Sequence, residues 1–315
     1  MAALDRLNIL SPGLQTTVQD LGRLGYGRFG VAPSGALDSF ALRTANLLVD
    51  NPEGAACLET LLMGLRVQAL EDMTIAVTGA NLQPCIDKRP LPMWSSREFK
   101  KDEVLSFLGP ASGCRAYLAV GGGIRVPDVM GSASTNLPSN FGGFEGRALQ
   151  PGDILEINPG ATRRTSSGRT IKSDWIPAYS DTWALRVIWG PQDDDFSQPA
   201  RDIFVNSTYA VSAESDRTGI RLDGPVIDKK DDIPGSIISE GVISGSIQIP
   251  GDGKPIIILG ETVSGGYRKI ATIITADLHL LGQIKPGDEI QFKAVTIEEA
   301  CHALEVFSKS YLPAL

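Results

Sequence analysis

The spacing of apolar and polar positions changes texture several times along the chain. Leu7–Leu10 is a short apolar run closed by Ser-Pro-Gly and predicts a first strand. Val67–Leu70, Met73–Thr78, Glu103–Phe107, Ala116–Val120 and Ile154–Ile157 are β-branched or apolar runs bounded by Gly, Pro or Asp. The pattern resumes with Trp183–Trp189, Ser236–Ile238, Ser246–Ile249, Pro255–Leu259 and Ala271–Thr275. Short strands separated by turns predict a barrel or sandwich. Helical spacing is confined to three places. Asp38 suits the N-cap of a helix reaching Val49, with Phe40, Ala41, Ala45, Leu47 and Leu48 on its apolar face. Asn51-Pro52 predicts a second, short helix through Cys57–Thr60. Thr296-Ile-Glu-Glu299 is a capping box that opens a terminal helix striped by Ala300, Leu304 and Phe307. The chain is therefore expected to be mainly β with a few helices.

Residues 158–182 are rich in Ser, Thr, Arg, Gly and Pro and predict a boundary. This gives an N-terminal domain over 1–160, a linker over 161–182 and a C-terminal domain over 183–315. Pro151-Gly-Asp-Ile-Leu-Glu-Ile157 and Pro286-Gly-Asp-Glu-Ile-Gln-Phe292 share a turn followed by an alternating strand, and Lys101-Asp-Glu-Val-Leu-Ser-Phe107 is a weaker copy. The two stronger copies close the two proposed halves, so each half is a candidate β-barrel.

The stretch Thr16–Asp38 reads as a long glycine-rich loop. Loops of this length inside compact domains are usually functional. Thr17, Gln19, Asp20, Arg23, Ser34 and Asp38 recur in it between turn residues. If they line a cleft, Asp20 and Asp38 are candidate acid or base groups, and Arg23 could grip a carboxylate or phosphate. An internal Asp20–Arg23 pair is the structural alternative. Gly121-Gly-Gly-Ile-Arg125 and Gly131-Ser-Ala-Ser-Thr135 form a second cluster, whose backbone N–H groups, with Arg125, Ser134 and Thr135, would suit an anion. In the second half Gln248 and Tyr267, the latter after paired glycines, are candidate substrate contacts. A half-buried strand aromatic is the plainer reading of Tyr267.

Composition then removes whole classes. The net charge of -8 argues against nucleic acid, whose footprint is a basic face. The four cysteines (Cys57, Cys85, Cys114, Cys301) show neither a C-x-x-C pair nor metal-ligand spacing, and read as small buried hydrophobes of a reducing compartment. No segment has the length and apolarity of a membrane span, and the N-terminus lacks the pattern of a signal peptide. A cytoplasmic location is expected. There is no phosphate loop, no H-E-x-x-H, no G-x-S-x-G and no M-K-M biotinylation triplet. Gly25-Tyr-Gly-Arg-Phe-Gly30 matches G-x-G-x-x-G, but the next helix starts near Asp38, too late for dinucleotide binding.

Taken together, PGLQTTVQDLGRLGYGRFGVAPSGALD, RAYLAVGGGIRVPDVMGSAST, SDRTGIRLDGP, SEGVISGSIQIPGDGKPIIIL and SGGYRKIATIITADL resemble the family called allophanate hydrolase subunit 2 or biotin-dependent carboxyltransferase. That family includes the C subunit of bacterial 5-oxoprolinase, a Kip-type antagonist of a kinase inhibitor, and part of urea carboxylase. The resemblance implies two linked cyclophilin-like β-barrel domains. It also implies a B-type (Kip inhibitor-like) partner, with a lactam-utilisation A subunit in the 5-oxoprolinase case. The implied activity is ATP-dependent opening of the lactam 5-oxoproline, with ATP and Mg as co-substrate of the complex. The alternatives are a carboxyltransferase acting on urea or a related amide, with biotin on another chain, and a non-catalytic antagonist. Gly260-Glu-Thr-Val-Ser-Gly-Gly-Tyr267 departs from the family pattern, with Gly260 at an aspartate position and Val263-Ser264 at two threonines. Thr218 stands where a methionine is common.

Overall fold

A computed structural model describes residues 6–158 and 168–311. They divide into two compact units, one of residues 6–23, 34–158 and 168–179, the other of residues 24–33 and 180–311. The predicted linker over 161–182 falls partly outside the described residues. Of its remainder, residues 168–179 are part of the first unit, where the Ser96 N–H donates to the Arg169 carbonyl at 2.8 Å.

The first unit holds two sheets. The seven-stranded sheet runs in the order Ile124–Arg125, Ile154–Ile157, Arg6–Pro12, Leu65–Ala69, Val104–Phe107, Pro84–Ile86, Arg89–Pro90. The five-stranded sheet runs Thr16–Gln19, Cys57–Leu61, Ser112–Val120, Met73–Asn81, Ser96–Phe99. Alternation places Leu7, Ile9, Leu65, Val67, Leu105, Leu155 and Ile157 of the first sheet in one apolar core with Val18, Leu58, Ile75, Val77, Phe99 and Leu118 of the second. Met73–Ala80 is buried at every position because helix α1 (Ser39–Leu48) covers the other face of that sheet. Asp38 caps α1 as expected, accepting from the Ala41 N–H at 2.9 Å.

Two expectations fail here, both because tertiary pairing overrides local pattern. Thr16–Gln19 is not loop but a fully buried strand. Cys57–Leu61 is not helix but a strand between Thr16–Gln19 and Ser112–Val120. Asn51, expected to cap that helix, is spent locking the turn. Its amide donates to Asn46 Oδ1 and the Val120 carbonyl, and its oxygen accepts from the Gly122 N–H at 2.7 Å.

The second unit is a closed barrel in the order Thr182–Trp189, Arg268–Ile273, Ser246–Ile249, Ile256–Ile258, Gly219–Asp223, Thr208–Val211, Glu289–Ala294. A parallel pairing of Thr182–Val187 with Glu289–Ala294 closes it. Helix α2 (Gln198–Asn206), absent from the sequence reading, follows the Ser197 cap and stacks Phe204 on Phe292 with ring centres 4.6 Å apart. Residues 236–238 form no strand, and Thr275 opens a 3-10 segment instead of ending one. Helix α3 (Ile297–Tyr311) starts on the predicted capping box, with the Thr296 N–H donating to Glu299 and the Glu299 N–H to Thr296 Oγ1. Of its stripe, Phe307 is half-buried and stacks on His279, whereas Leu304 is exposed. Cys301, also on α3, is exposed, unlike the three other cysteines. Among the described residues no helix is long and apolar enough to cross a membrane.

The sequence echo is a structural one. In each copy a turn residue with positive φ (Gly152 +91°, Gly287 +89°, Asp102 +68°) sends its N–H to a neighbouring strand, at Ile9, Val211 and Ala69 respectively. The next residue's carboxylate (Asp153, Asp288, Glu103) accepts the backbone N–H three positions earlier. Asp153 also takes a bidentate contact from Arg147 at 2.8 and 3.0 Å. Those bonds hold its carboxyl below the ordinary 3.8, against the opposing effect of burial. A lowered pKa stabilises the fold above the unfolded value and loses that stabilisation as pH falls through the folded one. Arg147→Ala is thus expected to cost roughly 1–2 kcal/mol at neutral pH. The gap between variant and wild type should close on acidification below the carboxyl range. Urea melts across pH 2–7 check this, and a gap independent of pH would contradict it.

Candidate functional site

The loop after strand Thr16–Gln19 is held against the segment Val129–Thr135 by one carboxylate. Asp20 accepts from Ser132 Oγ and the Ala133 N–H at 2.7 Å, from Ser134 Oγ at 2.5 Å, and from the Gly22 N–H at 2.7 Å. With four donors on its two oxygens, Asp20 anchors the two loops. Gln19 donates to Thr17 Oγ1 and the Thr135 carbonyl, and accepts from the Gly35 N–H. Thr135 Oγ1 donates to the Val18 carbonyl at 2.9 Å, and Asn136, which the sequence reading missed, donates to Ser34 Oγ at 3.0 Å. Thr17, Gln19, Asp20, Ser34, Ser134 and Thr135 therefore do converge, in one hydrogen-bonded cluster. The expected open nest of N–H groups is not there. Ser132, Ser134 and Thr135 are buried, and the Gly121, Gly122 and Gly123 N–H groups bond to Thr74, Asn51 and Val120.

Arg23, expected to grip an anionic ligand, is 1% exposed. It donates to the Ser134 carbonyl at 2.5 Å and to the Val129 carbonyl at 3.4 Å, and its guanidinium lies 4.6 Å from the Phe141 ring centre. Arg23 thus underpins the turn Phe141-Gly-Gly-Phe144. That turn depends on its glycines: at φ +71° and +54°, Cβ atoms on Gly142 and Gly143 would lie 2.2 Å from the Ser134 carbonyl oxygen and 1.9 Å from Thr135 Oγ1.

Above this support is a cavity of about 530 Å³, whose wall includes Phe141, Gly142, Phe144, Arg125 and Glu156. Arg125 projects from strand Ile124–Arg125. Its ion pair with Glu156, at 3.4 Å, has both side chains about half exposed (51% and 49%). Exposed pairs of this kind hold their partners weakly, so Arg125 can exchange Glu156 for an anionic ligand at small cost. Of the two arginines read as candidates for an anion, Arg23 is enclosed and Arg125 is the one that lines the cavity.

Asp38 lies apart from that cavity wall. It is fully buried, caps α1 through Oδ1 and accepts the Tyr179 hydroxyl on Oδ2 at 2.8 Å. The Asp38 N–H donates to the Tyr117 hydroxyl, which donates to Glu59 at 2.7 Å, and Glu59 also accepts the Leu37 N–H and faces Arg115 Nε at 3.6 Å. Burial first, then the neighbouring carboxylates, push the Tyr117 and Tyr179 hydroxyls well above their ordinary value of 10. Both phenols stay protonated as donors, Tyr179 to the Asp38 carboxylate and Tyr117 to Glu59. The sequence offered no signal for Tyr117, Glu59 or Tyr179 beyond their presence in a predicted strand, a predicted helix and a linker.

In the barrel unit, Gln248 is buried and donates to the Tyr267 carbonyl at 3.4 Å, while the Tyr267 ring is 42% exposed. A buried pair, Arg217 and Glu261 at 3.0 Å, accounts for the residue after Gly260. Lys269 is buried and ion-paired with Glu240, which also accepts from Gln192. Among the described residues no group of three His, Cys, Asp or Glu side chains could hold a metal ion.

A two-sheet unit with carboxylate-pinned glycine loops, linked in one chain to a barrel closed by its first and last strands, is the architecture of a carboxyltransferase-type β domain. The crystal structure of Kluyveromyces lactis urea carboxylase matches all of this chain with a TM-score of 0.92 and 31% identity, over 30% of its own length. Residues 29–294 match the family model described as carboxyltransferase domain, subdomain A and B, and the chain belongs to that family. The Escherichia coli protein named as the C subunit of 5-oxoprolinase is 38% identical over 94% of both chains. Its Haemophilus influenzae namesake is 33% identical over 93% of both. Saccharomyces cerevisiae urea amidolyase is 35% identical over 93% of this chain but only 17% of its own.

Proposed function

We propose that this protein is the C-type subunit of a 5-oxoprolinase, opening a cyclic amide at the expense of ATP together with a B-type partner and an A-type subunit. The observation that carries this reading is the end-to-end likeness to two proteins named as C subunits of 5-oxoprolinase, over 94% and 93% of their lengths. In this reading phosphorylation of the lactam oxygen by MgATP makes the ring carbon electrophilic. Water attacks that carbon and the C–N bond breaks with proton uptake on nitrogen, which leaves an acyl phosphate; a second water hydrolyses it, so that the products are glutamate, ADP and phosphate. Arg125 holds the anionic group of the ligand over the Phe141–Phe144 wall, and Glu156 is released from it when the ligand binds. Asp20, Arg23, Ser134 and Thr135 position that wall.

The test is reconstitution of the chain with its partner subunits, MgATP and 5-oxoproline, reading glutamate and ADP. Arg125→Ala is expected to lower kcat/KM about 10- to 100-fold, the worth of one charge-assisted hydrogen bond, with the complex intact. Absence of lactam-dependent ADP release from an assembled complex would reject the reading.

The likeness to urea carboxylase and urea amidolyase favours a second reading, in which the chain is the carboxyltransferase part of an assembly carrying biotin on another chain. It predicts carboxyl transfer to urea or a related amide, dependent on that biotinylated chain.

A further inference from the structure

A second cavity in the first unit, of about 580 Å³, is used by none of the chemistry above. Its volume is in the range of small-molecule sites, which typically combine apolar walls with a few convergent polar groups. Leu91, Met93 and Trp94 contribute apolar wall, Asn81 and Ser112 contribute an amide and a hydroxyl, and Lys88 is the one charged residue among those that line it. The Lys88 ammonium makes no ion pair among the described residues, whereas Arg125 at the first cavity is already paired.

The backbone at this cavity is also unusual. Trp94 is 4% exposed yet sits at φ +57°, and Gln83 at φ +52°. A bulky residue in the left-handed region is a true outlier, and such strain gathers at ligand clamps. Trp94 is fixed there by its N–H bond to the Val77 carbonyl at 2.8 Å, and its carbonyl accepts from the Thr170 hydroxyl and the Ile171 N–H, each at 3.3 Å. The Asp87–Lys88 turn, in contrast, has the positive φ values (+46° and +70°) of an ordinary tight hairpin, and it places Lys88 among the residues that line the cavity.

One cation, an indole, a thioether and side-chain amide and hydroxyl groups do not suit a triphosphate, which needs several cations or a phosphate-binding loop. They suit one carboxylate on a compact ring. We infer that this cavity is a separate binding site for cyclic organic monocarboxylates, with Lys88 taking the carboxylate, Asn81 and Ser112 the polar edge of the ring, and Trp94 and Met93 its apolar face. Cys85, 8% exposed, also lines the cavity and provides a reporter.

The test uses the full chain titrated with 5-oxoproline, benzoate and the neutral amide of 5-oxoproline. Binding is read by calorimetry and by protection of Cys85 from alkylation, with Cys301→Ser as background to remove the exposed thiol. The expected result is saturable binding of at least one carboxylate, protection of Cys85, and discrimination against the amide. Lys88→Met, a change on the exposed hairpin, should weaken both the binding and the protection of Cys85 about tenfold or more. Absence of saturable binding by both carboxylates overturns the inference, as does protection of Cys85 that persists undiminished in Lys88→Met. Because the readout is binding to this chain alone, the site can stand where lactam turnover by the complex fails, and can fall where turnover succeeds.

Discussion

Gly143→Ala is expected to destabilise the first unit by about 3 kcal/mol or more, because two penalties add: the left-handed backbone costs about 1–2 kcal/mol for a residue with a Cβ, and overpacking about 1–3. The Cβ would be 1.9 Å from Thr135 Oγ1, which is itself bonded to the Val18 carbonyl and cannot swing away without breaking that bond. Gly142→Ala should be as severe, since its nearest neighbour is a backbone oxygen at 2.2 Å. Gly131→Ala is the control: φ is +75°, but nothing lies within 4 Å, so only the backbone penalty applies. Denaturant midpoints of the three variants separate steric from conformational cost. Equal losses for Gly143→Ala and Gly131→Ala would refute the packing described for the cavity wall. Because the wall faces Arg125, a folded survivor should also show weakened ligand affinity.

The second large effect is expected at Glu59, which is 5% exposed. Glu59→Ala removes the carboxylate facing Arg115 and strands the Leu37 N–H and Tyr117 hydroxyl, and breaking a buried pair from one side typically costs about 3–5 kcal/mol. Tyr117→Phe should cost less, about 1–3 kcal/mol, since it removes hydrogen bonds but no buried charge. Hydrogen exchange should then localise the damage to residues 34–41, where the loop enters α1. An unchanged exchange pattern there would show that the network does not hold that entry. The phenols add a pH dependence of known sign. Their raised pKa leaves stability intact below 10, and stability falls as pH rises above it, where unfolded tyrosine ionises and the buried groups do not.

The sequence was informative where a local rule operated alone. The Asp38 cap, the Thr296 capping box and the Pro-Gly-Asp turns each need only neighbours in the chain, and each is present. It misled at Cys57–Leu61, where Asn51-Pro52 fits a helix start but two strands on either side demand a third. It also misled at Arg23 and Asp20, whose polarity and glycine-rich setting read as a cleft. Only the fold reveals that Ser132, Ala133, Ser134 and Phe141 come from more than 100 residues away to occupy them. Side chains of one cluster were legible as a group, and their direction was not. The cavities were illegible for the same reason: Lys88 and Trp94 are ordinary letters until a hairpin and a strained backbone bring them together.

Residues 24–33 count with the barrel unit, although the chain on either side of them counts with the first unit. During synthesis the ribosome releases this strap long before the strands that it accompanies. The first unit can begin to fold as it emerges, but the strap must wait, unpartnered, until residue 180 onward has been made. Nor can either unit be inherited or exchanged as a single cassette, since any one cut that frees the barrel leaves part of it behind.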